Sequence, residues 1–295
     1  MHSTTAQSAS QTSRARRIGM RGAVLVLTAL TFNAGGATPD SAGLPSTIPP
    51  VRVGDWYRPG ATTTWQWQLT GDVNTSYAAA VYDLDLFETS AAQIASLHGQ
   101  GRRVICYFSA GSSENWRPDF ARFDRQWLGE PLDGWAGERW LDIRHRPVLD
   151  VMVGRLDLAK RKGCDGVEPD NVDGWANDTG FPLTGDNQLG FNRALANEAH
   201  KRGLAVGLKN DTGHVGQLLR YVDFTVNEQC HQHNECAAVL PFVAANKPVF
   251  NAEYAANAAA GARLARAVCA KAKSAGLRTL ILPVKLDDAF RVTCE

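Results

Sequence analysis

The chain has 295 residues, with 31 Lys plus Arg against 30 Asp plus Glu and a hydrophobic share of 44%. That composition supports a large buried core and excludes a disordered or collagen-like chain. A net charge of +1 also lacks the basic surplus of a nucleic-acid binder.

Charge is unevenly placed. Residues 1–37 hold Arg14, Arg16, Arg17 and Arg21 and no acid, which leaves the remainder mildly acidic. The basic stretch runs into the apolar segment Gly22–Phe32 and then into Asn33-Ala-Gly-Gly-Ala37, the three parts of a secretion signal. The apolar segment is too short to cross a bilayer, which takes about 20 residues. We expect residues 1–37 to be removed by cleavage near Ala37, giving a secreted, extracellular protein with no stable membrane anchor. The mature chain is then close to the ~250 residues typical of a (β/α)8 barrel.

Residues 38–60 carry Pro39, Pro45, Pro49, Pro50 and Pro59 and read as an extended lead-in without a core of its own. No internal repeat and no second composition shift follows, so 61–295 is expected to be one domain. Apolar runs predict strands over 65–69, 80–84, 103–108, 166–169, 205–208, 224–227, 249–252 and 279–282, with helical patterns between them. Ser90 and Gln93 have capping-box spacing ahead of Ile94 and Leu97, and Gly99 stops that helix. Phe191, Leu195 and Ala199 mark a second helix ending at Gly203. Ala265, Val268, Cys269 and Ala272 mark a third ending at Gly276. The Trp140–Ile143 run reads as an extra strand within a long loop. Strands alternating with helices predict a parallel sheet. No glycine-rich dinucleotide fingerprint follows any strand, so the expected fold is a single (β/α)8 barrel rather than an open doubly wound sheet.

All six cysteines lie beyond residue 37, and an even count in a secreted chain suggests disulfides. Cys230 with Cys236 is the simplest pair to propose, and Cys269 with Cys294 would pin the C-terminus to the last helix. Cys106 and Cys164 either pair or remain buried thiols. His231 and His233 add zinc-type ligands to the Cys230–Cys236 segment, but its crowding departs from finger spacing. A disulfide is expected there, with no metal.

Seven of the eight expected strands end in functional groups, and a (β/α)8 barrel gathers those ends on one face. The densest stretch is Gly163–Gly174, with Asp165, Glu168, Asp170 and Asp173. Strand alternation puts Glu168 and Asp170 on the same side. Close carboxyl groups drive their pKa values apart, as glycoside hydrolysis requires of its acid and its nucleophile. A calcium loop is the alternative; Asn171-Val-Asp173-Gly174 meets part of the EF-hand spacing, but Pro169 occupies the first ligand position.

Four segments, 104–119, 163–174, 224–230 and 247–254, resemble glycoside hydrolase family 114, the endo-α-1,4-polygalactosaminidases. The resemblance runs in order from about Trp65 to Asp288. It implies a (β/α)8 barrel with a catalytic Asp after the fourth strand and a catalytic Glu after the sixth. Carried over by motif, these are Asp170 in Glu-Pro-Asp-Asn and Glu228 in Val-Asn-Glu-Gln-Cys. We expect Asp170 as nucleophile and Glu228 as general acid/base in a retaining reaction, with Glu168 as the rival to Asp170. Asp165 is expected to be structural. Asp85, Tyr107, Glu168, Asn171, Lys209, Asn210 and Glu253 are expected to contact sugar or the catalytic carboxylates. Trp116 and Trp175 are expected to offer stacking faces, and Trp140 to pack in the core.

The expected enzyme is a monomer that needs no cofactor and binds no nucleic acid; its partner is a galactosamine-containing polysaccharide. A chitinase-like, substrate-assisted hydrolase and a non-catalytic carbohydrate-binding barrel are the alternatives. Cleavage of fully deacetylated oligomers separates the first, and binding without product release separates the second.

Overall fold

In the computed structural model, residues 43–294 are described, so the expected signal segment lies outside the described residues. The elements follow in chain order. Strands β1 (Trp65–Gln68), β2 (Val81–Asp85) and β3 (Arg103–Ser109) come first, with helix α1 (Ala91–Gly99) between β2 and β3. Three short strands, β4 (Ser112–Glu114), β5 (Leu128–Pro131) and β6 (Glu138–Leu141), precede helix α2 (Arg146–Lys162). Then come β7 (Gly166–Asp170), α3 (Gly185–Lys201), β8 (Ala205–Lys209), α4 (Val215–Leu218) and β9 (Phe224–Glu228). The chain finishes with α5 (Cys230–His233), α6 (Leu240–Ala244), β10 (Val249–Tyr254), α7 (Ala258–Ser274), β11 (Arg278–Leu282) and β12 (Val292–Thr293).

Eight of these strands, β1, β2, β3, β7, β8, β9, β10 and β11, pair in parallel in that spatial order, which is the (β/α)8 barrel the sequence predicts. Side chains bridge the first strand to the last strand and the segment after it: Trp65 Nε1 donates to the Arg278 carbonyl at 2.7 Å, and Gln66 Nε2 donates to Asp288 at 3.2 Å.

Period-two alternation explains the barrel interior. Its base is apolar: Trp65, Val81, Ile105, Phe224, Phe250 and Leu280 form one buried cluster, with Trp65 stacked on Phe250 at 4.9 Å. Gly207 has to be glycine, because a Cβ there would sit 2.3 Å from the Phe224 ring. Towards the C-terminal ends of the same strands the inward residues become Asp83, Glu168, Asp170, Lys209 and Glu228. The interior therefore changes from hydrocarbon to charge along its axis.

The helices cover the outer faces of the sheet. Helix α1 has the expected capping box, with Gln93 N donating to Ser90 Oγ and Ser90 N to Gln93 Oε1. Helix α2 was not anticipated. It buries Val148, Leu149, Met152, Leu156 and Ala159, but the stripe also contains Arg155, 1% exposed and paired with Asp119 at 2.8 Å. Alternation of strand and helix also fails at two places. No helix lies between β1 and β2, where Gln68 Nε2 holds the loop through the Thr70 and Asp72 carbonyls. None follows β11 among the described residues; β12 instead pairs antiparallel with it.

Residues 43–60 are extended and tied to the barrel. Val51 N donates to Asn197 Oδ1 at 2.8 Å, and Trp56 stacks on His200 at 4.1 Å while donating to Asp223. All six cysteines are paired: Cys106–Cys164, Cys230–Cys236 and Cys269–Cys294. Three disulfides fit an oxidising compartment. No helix among the described residues is long and apolar enough to cross a membrane.

Candidate active site

Three successive strands end in charge and then turn sharply. Asp170 closes β7, Lys209 closes β8 and Glu228 closes β9. Each is followed by a residue in the left-handed region: Asn171 at φ 58°, Asn210 at φ 47° and Gln229 at φ 59°. Asn tolerates this conformation better than most residues, and such outliers cluster at functional sites. Both asparagines also serve the site. Asn210 accepts the Glu228 backbone N–H at 2.9 Å and donates to Glu228 Oε2 at 3.1 Å. Asn171 donates its backbone N–H to Asp170 Oδ1 at 2.7 Å and its side chain to Ser109 at 2.8 Å. Gly111 lets this turn come close, since a Cβ there would meet the Asn171 carbonyl oxygen at 1.7 Å.

Lys209 is the hub. Its Nζ lies 3.2 Å from Glu168, 3.2 Å from Asp170 Oδ1 and 3.5 Å from Glu228 Oε2. It also sits over the Trp67 ring at 4.8 Å. Burial opposes its charge, but Asp170, Glu228 and Glu168 together outweigh that and hold the ammonium protonated well above the ordinary lysine range. Tyr107 donates to Asp170 Oδ2 at 2.9 Å, and Tyr254 donates to Glu228 Oε1. Both phenols titrate well above their usual range, chiefly from burial and the neighbouring carboxylates, so they remain donors.

Asp170 and Glu228 are 18% and 27% exposed, whereas Glu168 is fully buried below them. Pro169 does not bend β7, so Glu168 shares the inward face with Asp170, one layer deeper. Burial pushes its pKa up to about 7, with Lys209 opposing and Asp170 adding to the rise.

Above this floor opens a cavity of about 710 Å³. Tyr107, Asp170, Asn171, Lys209, Asn210 and Glu228 line its base. Part of its wall is the β5–β6 hairpin, whose strands and connecting loop supply Glu130, Asp133, Trp135, Glu138 and Trp140. With Asp173 and Asp178 on the opposite rim, seven carboxyl groups face one lysine across the lining. Burial raises the Glu138 pKa to about 7, with Ser112 donating to it at 2.8 Å. Asp173 rises to about 6, first from burial and then from Asp170 and Asp211.

Several expected contacts lie elsewhere. Asp85 is bound by Arg117 through both oxygens, at 3.1 and 2.6 Å, and also accepts two backbone N–H groups. Glu253, 1% exposed, accepts the His231 backbone N–H and so braces the Cys230–Cys236 turn. Trp175 donates to Asp211 and packs on His214 at 4.5 Å, and Trp116 is 52% exposed; neither lines the cavity. Asp165 receives Arg103, His98 and the Val104 N–H at the start of β3 and β7, a structural role. The aromatic residues on the cleft wall are Trp140 and Trp135. Trp135 is 54% exposed and was not anticipated; its position between Asp133 and Glu138, beside the Trp140 run, was the available signal. Cys230, His231 and Cys236 lie close enough together for a metal, but the two sulfurs are joined and offer no thiolate.

An open cleft floored by carboxyl groups, at the C-terminal face of a (β/α)8 barrel, is the arrangement that a glycosidase uses. The family model of glycoside hydrolase family GH114 matches residues 46–295, and the chain belongs to that family. It is similar to Aspergillus fumigatus Ega3, solved in complex with galactosamine, at 41% identity and a TM-score of 0.76, over 82% of this chain and 99% of that one. The glycoside hydrolase domain of PelA from Pseudomonas aeruginosa shares the fold, with a TM-score of 0.63 at 15% identity over 78% and 98% of the two chains. No curated protein matches.

Proposed function

We propose that this chain is a secreted, endo-acting hydrolase of α-1,4-linked galactosamine polymers, with Asp170 as nucleophile and Glu228 as general acid/base. The observation that carries this reading is the single buried ammonium of Lys209 touching both carboxyl groups at the floor of an acid-lined cleft. A deacetylated galactosamine polymer is a polycation, and seven carboxyl groups around one lysine attract it. The 41% identical relative holds galactosamine. The open cleft suits internal units of a chain. In this account the signal ends near Ala37, 38–60 form the lead-in and 61–295 the catalytic domain, acting as a monomer.

The reaction follows from the contacts. Lys209, the Tyr107 hydroxyl and the Asn171 N–H hold the Asp170 carboxyl group aimed into the cleft. Asp170 attacks the anomeric carbon while Glu228 protonates the departing glycosidic oxygen, and Glu228 then deprotonates the water that releases the sugar. Retaining pairs stand about 5–5.5 Å apart and inverting pairs about 6.5–9.5 Å. Oxygens of Asp170 and Glu228 both lie within 3.5 Å of one nitrogen, which favours the closer arrangement.

The test is product release from fully deacetylated galactosamine oligomers, with the first-formed anomer read by NMR. Release of the α-anomer is expected. Binding without release would favour the carbohydrate-binding alternative, and a first-formed β-anomer would exclude retention. Activity confined to N-acetylated oligomers would point to substrate assistance.

A further inference from the structure

Beneath the reactive floor lies an acid pair that the reaction as written does not use. Asp83 on β2 and Glu168 on β7 are both 0% exposed, and apart from the Lys209 ammonium beside Glu168 no described N–H or hydroxyl group donates a hydrogen bond to any of their four carboxyl oxygens. They lie within hydrogen-bond reach of each other. The groups around them are Lys209 on β8, with Nζ 3.2 Å from Glu168 Oε1, Asp170 above on β7, Tyr107 on β3 and the Trp67 ring on β1. Two adjacent carboxylates cannot both stay ionised in a fully buried interior where the one nearby cation among the described residues also serves Asp170 and Glu228.

We propose that Asp83 and Glu168 share one proton as a buried carboxyl pair, whose remaining single charge seats Lys209 between Asp170 and Glu228. Asp83 carries the proton and donates to Glu168; Glu168 holds the ammonium from below. Burial and the facing Glu168 both raise the Asp83 pKa well above the ordinary range, in keeping with this assignment. Asp83 is therefore a positioning residue. Without its donor, Glu168 is protonated instead or moves, and Lys209 loses the contact that centres it. The role of Lys209 in catalysis rests on the functional reading above; the proton on the pair does not.

Two measurements test this. Infrared spectra of wild type and Asp83→Asn at pH 7 are expected to differ by one protonated-carboxyl C=O band, present in wild type and absent from the variant. Its absence from wild type overturns the pair. In kinetics on the galactosamine polymer, Asp83→Asn keeps an N–H donor toward Glu168 and is expected to stay within about threefold of wild-type kcat, while Asp83→Leu falls about 10- to 100-fold at unchanged KM. Equal losses in both variants would show that a charge on Asp83, not its donor, matters, and would overturn the assignment. So would full activity of a folded Asp83→Leu. An inactive wild type would sink the functional reading, and the infrared band would still decide the pair.

Discussion

Lys209 Nζ lies 3.2 Å from Asp170 Oδ1, and that contact joins the ends of two adjacent barrel strands, β8 and β7. It gives the partly buried Asp170 carboxyl a buried counter-charge that solvent cannot replace. Replacing Lys209 with Met keeps the packing against Trp67 but removes the one cation among the described residues of the cleft lining. Lys209→Met is expected to lose at least about 100-fold in kcat, since an electrostatic group at a water-poor reacting centre is worth that much. The cationic polymer should still bind, because the cleft becomes more negative. Steady-state kinetics with equilibrium binding on the same preparation checks both.

The two tyrosines make a narrower prediction. Tyr107 donates to Asp170 and Tyr254 to Glu228, so each Phe variant removes one hydrogen bond to one carboxyl group and little else. A hydrogen bond to the nucleophilic carboxylate is worth about 1.5–3 kcal/mol, or roughly 10- to 100-fold in rate, and one to Glu228 while it carries its catalytic proton about 0.5–1.5 kcal/mol, or roughly 2- to 10-fold. Tyr107→Phe and Tyr254→Phe should lower kcat by those respective ranges with KM nearly unchanged. A raised KM at constant kcat would instead assign the hydroxyls to ground-state sugar binding.

Glu138 ties stability to pH. Its carboxyl titrates near 7 in the folded protein, raised mainly by burial from an ordinary 4.5. The folded state therefore holds this proton more tightly than the unfolded chain. The stabilisation is complete below about pH 4.5 and is lost as pH rises through 7. Glu138→Gln never ionises and can still accept from Ser112. It should melt like wild type at pH 4.5 and a few degrees higher at pH 8, on the order of 1–2 kcal/mol after screening by water in the open cleft. Thermal melts at the two pH values decide; a variant less stable at both would contradict the burial argument.

Trp135 stands half-exposed on the cleft wall among acids. A flat indole there offers a face to a sugar ring, so Trp135→Ala should raise KM several-fold for long oligomers and leave kcat almost intact. KM for the polycation should also rise with added salt in wild type, because open-cleft attraction is screened within about 10 Å at 0.1 M. A salt-independent KM would mean that the acidic lining does not bind the amines.

Much of the barrel was legible in the sequence because its eight strands are short apolar runs with clear stops. The region between β3 and β7 was not. Arg155 interrupts the apolar stripe of α2, and it is tolerated inside because Asp119 meets it at 2.8 Å and the Ser109 carbonyl at 2.7 Å, both distant in sequence. The strands β4 and β5 are only three and four residues long and have weak patterns of their own. The charged strand ends were visible in the same way, and the motif resemblance singled out Asp170 and Glu228. What sequence could not supply was depth. Glu168 and Asp170 alternate identically, yet one is sealed under Lys209 and the other meets solvent. Asp85 looked like a cleft acid until Arg117, from the loop after β4, was found gripping both of its oxygens.

The most direct test of the central claim is reducing-end release from purified galactosamine polymer by wild type, Asp170→Asn, Glu228→Gln and Glu168→Gln, each shown to be folded. The account predicts release by wild type and near silence from Asp170→Asn and Glu228→Gln. Substantial release by Asp170→Asn, with Glu168→Gln silent, would contradict it and move the nucleophile one layer down the barrel.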